Sequence, residues 1–203
     1  TDDFLKRVAK LKSFMPHFHL SLQSGAEKTL REMNRNYSPE EYRATVRRIR
    51  RIFPDVGLTT DVIVGFPGEG EDDFGESLDF VEEMGFSRLH VFPYSMRKNT
   101  PAAKRADQIP GPVKKERAAR MIALGDRMAS DFVKERIGKT YPVLFEEKKD
   151  GKNYGYTPNY IYMAVEGKED LRNTLQYVTI EGERGGEITG RIRKEHANGL
   201  SIL

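Results

Sequence analysis

One continuous stretch, Gly57–Glu69, constrains the fold more than any other part of the chain. Its first part is apolar and β-branched without an internal turn residue, which is typical of a strand buried on both faces. The Gly-Phe-Pro-Gly-Glu segment that follows carries glycines, which adopt backbone angles that other residues rarely take. An amphipathic segment typical of a helix comes next. A strand, a glycine-bearing turn and a helix in this order form the join at which α/β proteins bind small ligands.

The composition indicates a globular protein with a modest core, since charged residues make up 32% and hydrophobic residues 37% of 203 residues. No run of about 18 apolar residues is present, and the start Thr1-Asp2-Asp3 is unlike a signal peptide, so we expect a cytoplasmic protein with no membrane partner. Without cysteine, the chain has no disulfide and no thiolate ligand for an iron–sulfur cluster. Its net charge of +3 is too small to establish a nucleic-acid partner.

Three predicted strands alternate with predicted helices in the first part of the chain. The first strand, His17–Leu22, ends at Gln23-Ser24-Gly25, and the third, Arg88–Phe92, ends at Pro93-Tyr94-Ser95-Met96-Arg97. The crossovers are long enough for parallel pairing, which brings the carboxyl ends of the strands to one edge of the sheet. Three β/α units are too few to close a barrel and look like half of one.

The predicted helix that begins after Ser38 has the clearest start signal in the sequence. Ser38 is a good N-cap, Pro39 suits the first helical position, and Glu41 completes a capping box. The last turns of this helix carry a cluster of arginines, namely Arg47, Arg48, Arg50 and Arg51. A solvated outer face explains the cluster more simply than contact with RNA does.

A long helix, Val113–Arg136, leads to Gly138, where we place a domain boundary between residues 1–137 and residues 138–203. Beyond it lie short β-prone runs separated by turn residues: Tyr141–Glu147, Tyr154–Tyr156, Tyr160–Val165, Gln176–Glu181 and Glu187–Arg193. Short strands at this density predict a small all-β barrel of the OB-like type. Residues 194–203 carry no informative pattern.

Four tyrosines lie among lysines in this second part: Tyr154, Tyr156, Tyr160 and Tyr162. Exposed rings beside cations suit base stacking next to phosphate contacts. Tyrosines also fill the walls and rim of small barrels. The sequence leaves both interpretations open.

Four ordered segments carry a family resemblance: His19–Gly25, Met33–Tyr37, Thr60–Glu69 and His90–Arg97. They resemble the radical S-adenosylmethionine methylthiotransferases, specifically the threonylcarbamoyladenosine tRNA methylthiotransferase branch. The resemblance covers nearly the whole chain. It implies an α/β fold, the second half of a radical-SAM β/α barrel followed by a small OB-like TRAM barrel.

The same resemblance shows what this sequence lacks. Family members carry an amino-terminal domain and a Cys-x-x-x-Cys-x-x-Cys loop, each of which binds a 4Fe-4S cluster, and neither is present here. Ala26 stands where this branch has cysteine, and Gly70 and Asn99 replace a usual Thr and Gly. We therefore expect that this polypeptide alone does not catalyse the radical reaction.

The resemblance implies a reaction in which a methylthio group is added to a tRNA adenosine beside the anticodon, with S-adenosylmethionine as cofactor. It implies that Gln23 and Ser24 hydrogen-bond the ribose or amino-acid portion of this cofactor. Other residues would face the nucleoside or close the third strand's end: Asp61, Ile63, Gly65, Tyr94, Ser95 and Arg97. A planar guanidinium suits a carboxylate or phosphate.

Each of these residues also has a purely structural interpretation. Gln23 and Ser24 would equally cap the following helix, and Asp61 would equally be a buried, hydrogen-bonded carboxylate. Glu69 is better explained as an acidic residue near a helix start than as a catalyst. His17 and His19 share a strand face, but a metal site needs a third ligand.

Three function classes remain open. The chain is part of a tRNA methylthiotransferase, with isopentenyladenosine tRNA or a ribosomal protein as alternative substrates; or it is a stand-alone RNA-binding module; or it is an unrelated β/α-barrel lyase or aldolase-like enzyme. Arg97 favours a tRNA substrate, since the resemblance implies an acidic residue there in the ribosomal-protein branch. Self-association through the exposed edge of the half barrel is a further hypothesis.

Overall fold

The computed structural model describes residues 1–193, and residues 194–203 lie outside the described residues. Two compact units are present, one of Thr1–Phe14 with Phe18–Ala129, the other of Met15–His17 with the chain from Ser130 onward. The division falls inside a helix, whereas the boundary at residues 137 and 138 stays a prediction. Among residues 1–193, every helix is too short or too polar to cross a membrane.

The first unit contains a three-stranded sheet and its helices. The strands, in the order β1-β2-β3 across the sheet, are His17–His19, Gly57–Val64 and Arg88–Pro93. β2 and β3 pair in parallel from Thr59–Arg88 to Val64–Pro93. The helices are α1 Asp2–Val8, α2 Glu27–Glu32, α3 Pro39–Ile52, α4 Glu71–Met84 and α5 Gly111–Lys134, with a 3-10 turn at Ala102–Lys104. The predicted α/β fold is confirmed.

One face of the sheet is covered by helices because alternate side chains of β2 are apolar. Leu58, Val62 and Val64 are fully buried and join a core with residues of α3, α4 and α5. The intervening side chains Asp61 and Ile63 are only half-buried and point to the opposite face. The prediction of a strand buried on both faces is therefore wrong for this end of β2, and the predicted site residues Asp61 and Ile63 lie on the face that the helices leave uncovered.

The first strand is shorter than the predicted His17–Leu22. Thr60 Oγ1 donates to the Leu20 carbonyl at 2.5 Å and accepts from Leu22 N–H at 2.9 Å, so a side chain takes the place of ladder hydrogen bonds. Pairing resumes at Gln23, which forms a parallel bridge with Val62. The interruption ends β1 at His19, while the chain stays beside β2 as far as Gln23.

The second unit is a closed barrel of five strands in the order β4-β5-β6-β8-β7. The strands are β4 Thr140–Lys149, β5 Lys152–Tyr156, β6 Tyr162–Glu166, β7 Leu175–Arg184 and β8 Glu187–Ile192. β4 pairs with both β5 and β7, which closes the sheet on itself. Its interior holds a separate core that includes Phe145, Met163 and Val178. The predicted small all-β barrel is confirmed, while its identity as a TRAM domain stays a prediction.

Candidate functional site at the carboxyl edge of the sheet

The residues that follow β1 and β3 are hydrogen-bonded to the second half of β2, near one edge of the sheet. Gln23 N–H donates to the Asp61 carbonyl and Ile63 N–H donates to the Gln23 carbonyl, both at 2.8 Å. Tyr94 N–H donates to the Val64 carbonyl at 2.8 Å. Gln23, Asp61 and Tyr94 thus lie on neighbouring segments at the end where the strands' carboxyl termini converge. Such an edge is where α/β sheets bind ligands.

Asp61 lies on the uncovered face and is hydrogen-bonded by a histidine. Its Oδ2 is 3.2 Å from His19 Nε2, and His19 Nδ1 is 3.0 Å from Thr59 Oγ1. His90 is the β3 partner of Asp61 in the parallel register and is 6.1 Å from the His19 ring. The carboxylate is half-buried, so it combines an oriented oxygen with access from solvent. Asp61 is hydrogen-bonded, as the structural interpretation expects, but it is only half-buried.

Gln23 and Ser24 are more buried than a solvent-facing polar cluster would be, with exposed fractions of 9% and 1%. Gln23 has a positive φ of 70°, which is uncommon for a residue other than glycine. The predicted alternative, that these residues cap the next helix, does not hold: the N-cap of α2 is Ala26, without a side-chain hydrogen bond. Ser24 Oγ instead accepts from Ala26 N–H at 3.2 Å, within a local turn.

Two tyrosines brace this segment from α3 and the loop before it. Tyr37 Oη donates to the Leu22 carbonyl at 2.8 Å, and Tyr42 Oη donates to the Leu20 carbonyl at 2.7 Å. Burial raises the pKa of both phenols above the usual range, so both remain hydrogen-bond donors at neutral pH. Sequence analysis gave Tyr42 no polar role, although it forms a buried stripe with Val46 and Ile49 on α3. The polar end of a tyrosine in such a stripe was the available signal.

The turn after β2 is closed by its own glutamate. Glu69 is 4% exposed, and both its carboxylate oxygens are 3.0 Å from Gly65 N–H. Arg117 of α5, which is equally buried, donates from Nη1 to Glu69 Oε1 at 2.9 Å. Burial raises the pKa of the Glu69 carboxyl, while the Gly65 N–H and Arg117 oppose that shift. The sequence-based interpretation of Glu69 as a residue near a helix start missed this pair.

Lys114 of α5 covers the glycine at the end of β2. Gly65 has a φ of +71°, and a Cβ added there would lie 2.5 Å from Lys114 Cγ. Lys114 Nζ donates to the Tyr94 carbonyl at 3.1 Å, and the Tyr94 ring contacts the Phe66 ring edge-on at 5.2 Å. Gly65 therefore admits a lysine stem close to its backbone. Sequence reasoning named neither Lys114 nor Phe66.

Ser95 and Arg97 follow Tyr94 as exposed residues beyond the end of β3. No hydrogen bond among residues 1–193 joins the Arg97 guanidinium to Gln23 or Asp61. The structure thus brings Gln23, Asp61, Ile63, Gly65 and Tyr94 together and leaves Ser95 and Arg97 outside this group. Their roles in binding stay predictions.

A second candidate surface lies on the barrel, where strand alternation turns tyrosines outward on β5 and β6. Tyr154 stacks on Tyr162 at 5.7 Å, Tyr162 lies 4.8 Å from Tyr156, and Tyr156 stacks on Tyr160 at 4.6 Å. Tyr160 is 52% and Tyr162 39% exposed. We call these four residues the tyrosine ladder. Tyr160 and Tyr162 present exposed rings next to the half-buried Tyr154 and Tyr156, and exposed rings suit the stacking of bases.

The arginines of α3 are held by acidic groups or carbonyls of the protein. Arg48 and Arg51 pair with Asp2, and Arg47 lies 3.8 Å from Glu83. Arg50 donates to the Met84 and Gly85 carbonyls at 2.6 and 2.7 Å, at the end of α4. This geometry favours the solvated outer face over contact with RNA.

Within residues 1–193 no group of three His, Cys, Asp or Glu side chains could hold a metal ion. The 203-residue sequence contains no cysteine, so these residues do not fit an iron–sulfur cluster. The polar groups at the carboxyl edge do fit a nucleoside-bearing ligand. They include the Asp61 carboxylate, the Gln23 amide, the Phe66 and Tyr94 rings and the Lys114 ammonium group.

Comparison with known proteins gives a consistent family. Residues 1–81 match the model of the Radical SAM superfamily. A threonylcarbamoyladenosine tRNA methylthiotransferase, MtaB of Bacillus subtilis, is 36% identical over 89% of this chain and 41% of its own length.

Two further relatives are named for other activities. A tRNA-2-methylthio-N(6)-dimethylallyladenosine synthase of Pelotomaculum thermopropionicum is 37% identical over 92% of this chain and 42% of its own. The ribosomal protein uS12 methylthiotransferase RimO of Alkaliphilus oremlandii is 34% identical, over 96% of this chain and 47% of its own. The chain therefore spans less than half the length of these curated relatives. Such similar identities do not separate the three substrates.

Proposed function

Because the chain belongs to the radical S-adenosylmethionine methylthiotransferase family, we propose that it is part of a tRNA methylthiotransferase and that its sheet edge holds S-adenosylmethionine. The observation that carries this proposal is the convergence of Gln23, Asp61 and Tyr94 on neighbouring segments. A ligand bound there would touch three consecutive β/α units. The ligand supplies radical hydrogen-abstraction chemistry when it is bound with a reduced cluster.

The residues at this edge suit the parts of S-adenosylmethionine. The half-buried Asp61 carboxylate, oriented by His19, is an acceptor for ribose hydroxyls or the amino group. Ile63 and the Phe66 ring are apolar neighbours for a base. Arg97 and Lys114 are cations for the carboxylate of the amino-acid portion, with Arg97 able to bind in bidentate fashion. Ser24 and Ser95 are the predicted site residues that carry hydroxyl groups.

The cluster must come from outside these residues. The 203 residues contain no cysteine, so we propose that the longer protein supplies the cluster ligands and that this chain alone does not turn over. The test combines the chain with S-adenosylmethionine and a reductant. Methylthiolation by this polypeptide alone would contradict this part of the proposal.

The binding proposal is tested by calorimetric titration of the chain with S-adenosylhomocysteine, a stable analogue. We expect saturable binding that Asp61→Asn weakens about tenfold, equivalent to about 1.4 kcal/mol. Asp126→Asn is the matched control, because Asp126 is exposed on α5. Binding that Asp61→Asn leaves unchanged would remove Asp61 from the site.

The substrate proposal is a tRNA adenosine beside the anticodon, with threonylcarbamoyladenosine favoured. Arg97 and the segments Ser21–Gln23 and His90–Pro93 support this branch by resemblance. The experiment restores the full-length gene in a host lacking its own methylthiotransferases and measures both methylthiolated nucleosides and ribosomal protein uS12 by mass spectrometry. Modification of isopentenyladenosine or of uS12 instead would select the corresponding alternative.

A second candidate function, RNA binding by the barrel, is supported by the tyrosine ladder. OB-like barrels bind oligonucleotides on the face formed by their second and third strands, which here are β5 and β6. Lys148 of β4 and Lys152 of β5 flank the β4–β5 turn, where the Lys148 ammonium donates to the Lys168 carbonyl and Lys152 pairs with Glu187. Binding of an anticodon stem-loop that weakens steadily as salt rises would support RNA contact. Equal binding at all salt concentrations would argue against phosphate contacts.

A further inference from the structure

Arg117 is a buried cation that contacts the end of the turn after β2 and the start of α4. Its Nη1 donates to Glu69 Oε1 and to the Glu69 carbonyl, both at 2.9 Å. Its Nη2 is 3.4 Å from the exposed carboxylate of Glu71, the first residue of α4. Its guanidinium also lies 5.4 Å from the centre of the Phe74 ring. One side chain of α5 thus binds both the end of the turn and the start of α4.

Glu69 connects Arg117 to the beginning of the turn. Its carboxylate is bound by Gly65 N–H at 3.0 Å, and its own N–H donates to the Phe66 carbonyl at 3.0 Å. The hydrogen bonds therefore run from Arg117 through Glu69 to Gly65. They close the turn into a ring that excludes other partners for the Gly65 N–H.

Stability alone is a weak reason for such a pair. Moving two charges out of water often costs more free energy than their attraction regains. Proteins with apolar residues in place of a buried ion pair are often as stable as the original. What an ion pair with directed hydrogen bonds does supply is a single geometry. The turn needs one, since Gly65 and Gly68 have φ values of +71° and +82° and glycine is the least restricted residue.

We propose that Arg117 is a positioning residue that acts through Glu69 to hold the Gly65–Gly68 turn in its ligand-receiving conformation. This inference rests on the proposed function only in naming the ligand as S-adenosylmethionine. An unrestrained glycine turn would have to be ordered when the ligand binds, and that ordering would weaken binding. A turn fixed beforehand by buried hydrogen bonds avoids this loss.

The decisive measurement is amide hydrogen exchange by NMR on the full 203-residue chain. The test variant is Glu69→Met/Arg117→Met, which removes both charges and leaves neither partner buried alone. We expect Gly65 N–H to exchange at least tenfold faster than in the wild type, with Ile63 N–H, bonded to the Gln23 carbonyl, unchanged. Arg120→Met is the matched control, because Arg120 is exposed on the same helix and pairs with Glu71 and Glu116.

Two results would overturn the proposal. One is Gly65 N–H exchange as slow as in the wild type, and the other is equal acceleration at Gly65 and Ile63, which would indicate general loosening. If the double variant does not fold, Arg117→Lys serves instead, since an ammonium cannot make the same planar contacts to the Glu69 carboxylate and carbonyl. We expect about threefold faster exchange at Gly65 in that variant, and no change would contradict the proposal.

A calorimetric titration with S-adenosylhomocysteine separates this inference from the proposed function. If the wild type binds, we expect at least tenfold weaker binding in the double variant, and undiminished affinity would contradict positioning of the ligand. If the wild type does not bind, the ligand assignment fails, while the exchange rates still decide whether Arg117 holds the turn.

Discussion

The backbone N–H of Gly25 donates a hydrogen bond to the Ser77 hydroxyl of α4, at 2.9 Å and out of contact with solvent. A Cβ added to Gly25 would lie 2.7 Å from Phe80 Cβ and 2.9 Å from Ser77 Cα. Helix α4 therefore packs directly against the backbone that follows Gln23 and Ser24. The position of these two predicted site residues depends on the absence of a side chain at the next position.

Gly25→Ala is expected to destabilise the first unit by about 1–3 kcal/mol, because the new methyl group displaces α4. Gly75→Ala is the matched control, since Gly75 lies within α4 and an added Cβ there meets nothing within 4 Å. That change should raise stability by about 0.5–1 kcal/mol through helix propensity. Urea denaturation monitored by circular dichroism measures both. Equal effects of the two variants would mean that the close packing at Gly25 relaxes freely.

The start of α4 provides a pH-dependent stabilising contact. Burial alone would raise the pKa of Asp73, but hydrogen bonds from Lys28 Nζ at 2.6 Å and Gly70 N–H at 2.7 Å hold that pKa below its usual value. A carboxyl whose pKa is lowered on folding stabilises the protein above its unfolded pKa, and this stabilisation disappears as the pH falls through its folded pKa.

Asp73→Asn should therefore cost about 1 kcal/mol at pH 7, as loss of a capping interaction does. The difference from the wild type should start to shrink below about pH 4, where the unfolded-state carboxyl becomes protonated before the folded-state carboxyl does. Urea midpoints between pH 3 and pH 7 measure the difference. Asp72→Asn, at an exposed neighbour in the same turn, should show a smaller and flatter difference. A cost for Asp73→Asn that grows toward low pH would contradict the lowered pKa.

The tyrosine ladder makes a specific prediction for RNA. Tyr162→Ala should weaken binding of a single-stranded RNA oligonucleotide by about 1–3 kcal/mol, because one stacking position is lost between Tyr154 and Tyr156. Tyr177→Ala on β7 is the control, since Tyr177 is also partly exposed but lies outside the ladder. Fluorescence anisotropy measures the affinities. Equal losses in both variants would show that the ladder has no special role.

The arginines of α3 are expected to contribute little to RNA affinity. Arg48→Gln and Arg51→Gln each remove a guanidinium that pairs with Asp2, so affinity should stay within about twofold and the salt dependence should keep its slope. Stability should change by less than about 1 kcal/mol, as for exposed ion pairs. A slope that falls by about 0.7–0.9 in either variant would reveal a phosphate contact.

Local signals in the sequence were sufficient for several elements. The predicted capping box of α3 is present, with Glu41 N–H donating to Ser38 Oγ at 3.2 Å and Ser38 N–H to Glu41 Oε2 at 2.9 Å. The β-branched run of β2 and the turn residues between the barrel strands also define their elements without distant partners. Such features depend on residues a few positions apart, which a sequence displays directly.

The parts that escaped prediction depend on distant partners. Thr60 replaces ladder hydrogen bonds of a segment some forty positions earlier, which shortens β1. Arg117 and Glu69 are 48 positions apart, and nothing in the pattern of α5 pairs them. The contact of Lys114 with Gly65 likewise follows from the docking of a helix. Side-chain partners of this kind are decided by packing.

The ion pairs of α3 change the meaning of the formal net charge of +3. That figure counts every ionised group equally, whereas a polyanion gains only from cations that bring uncompensated charge to its phosphates. Asp2 already offsets part of the charge of Arg48 and Arg51, so these arginines give up some of that interaction when they displace a condensed cation from RNA. The richest run of arginines in this chain therefore attracts a polyanion less strongly than its count of guanidinium groups suggests.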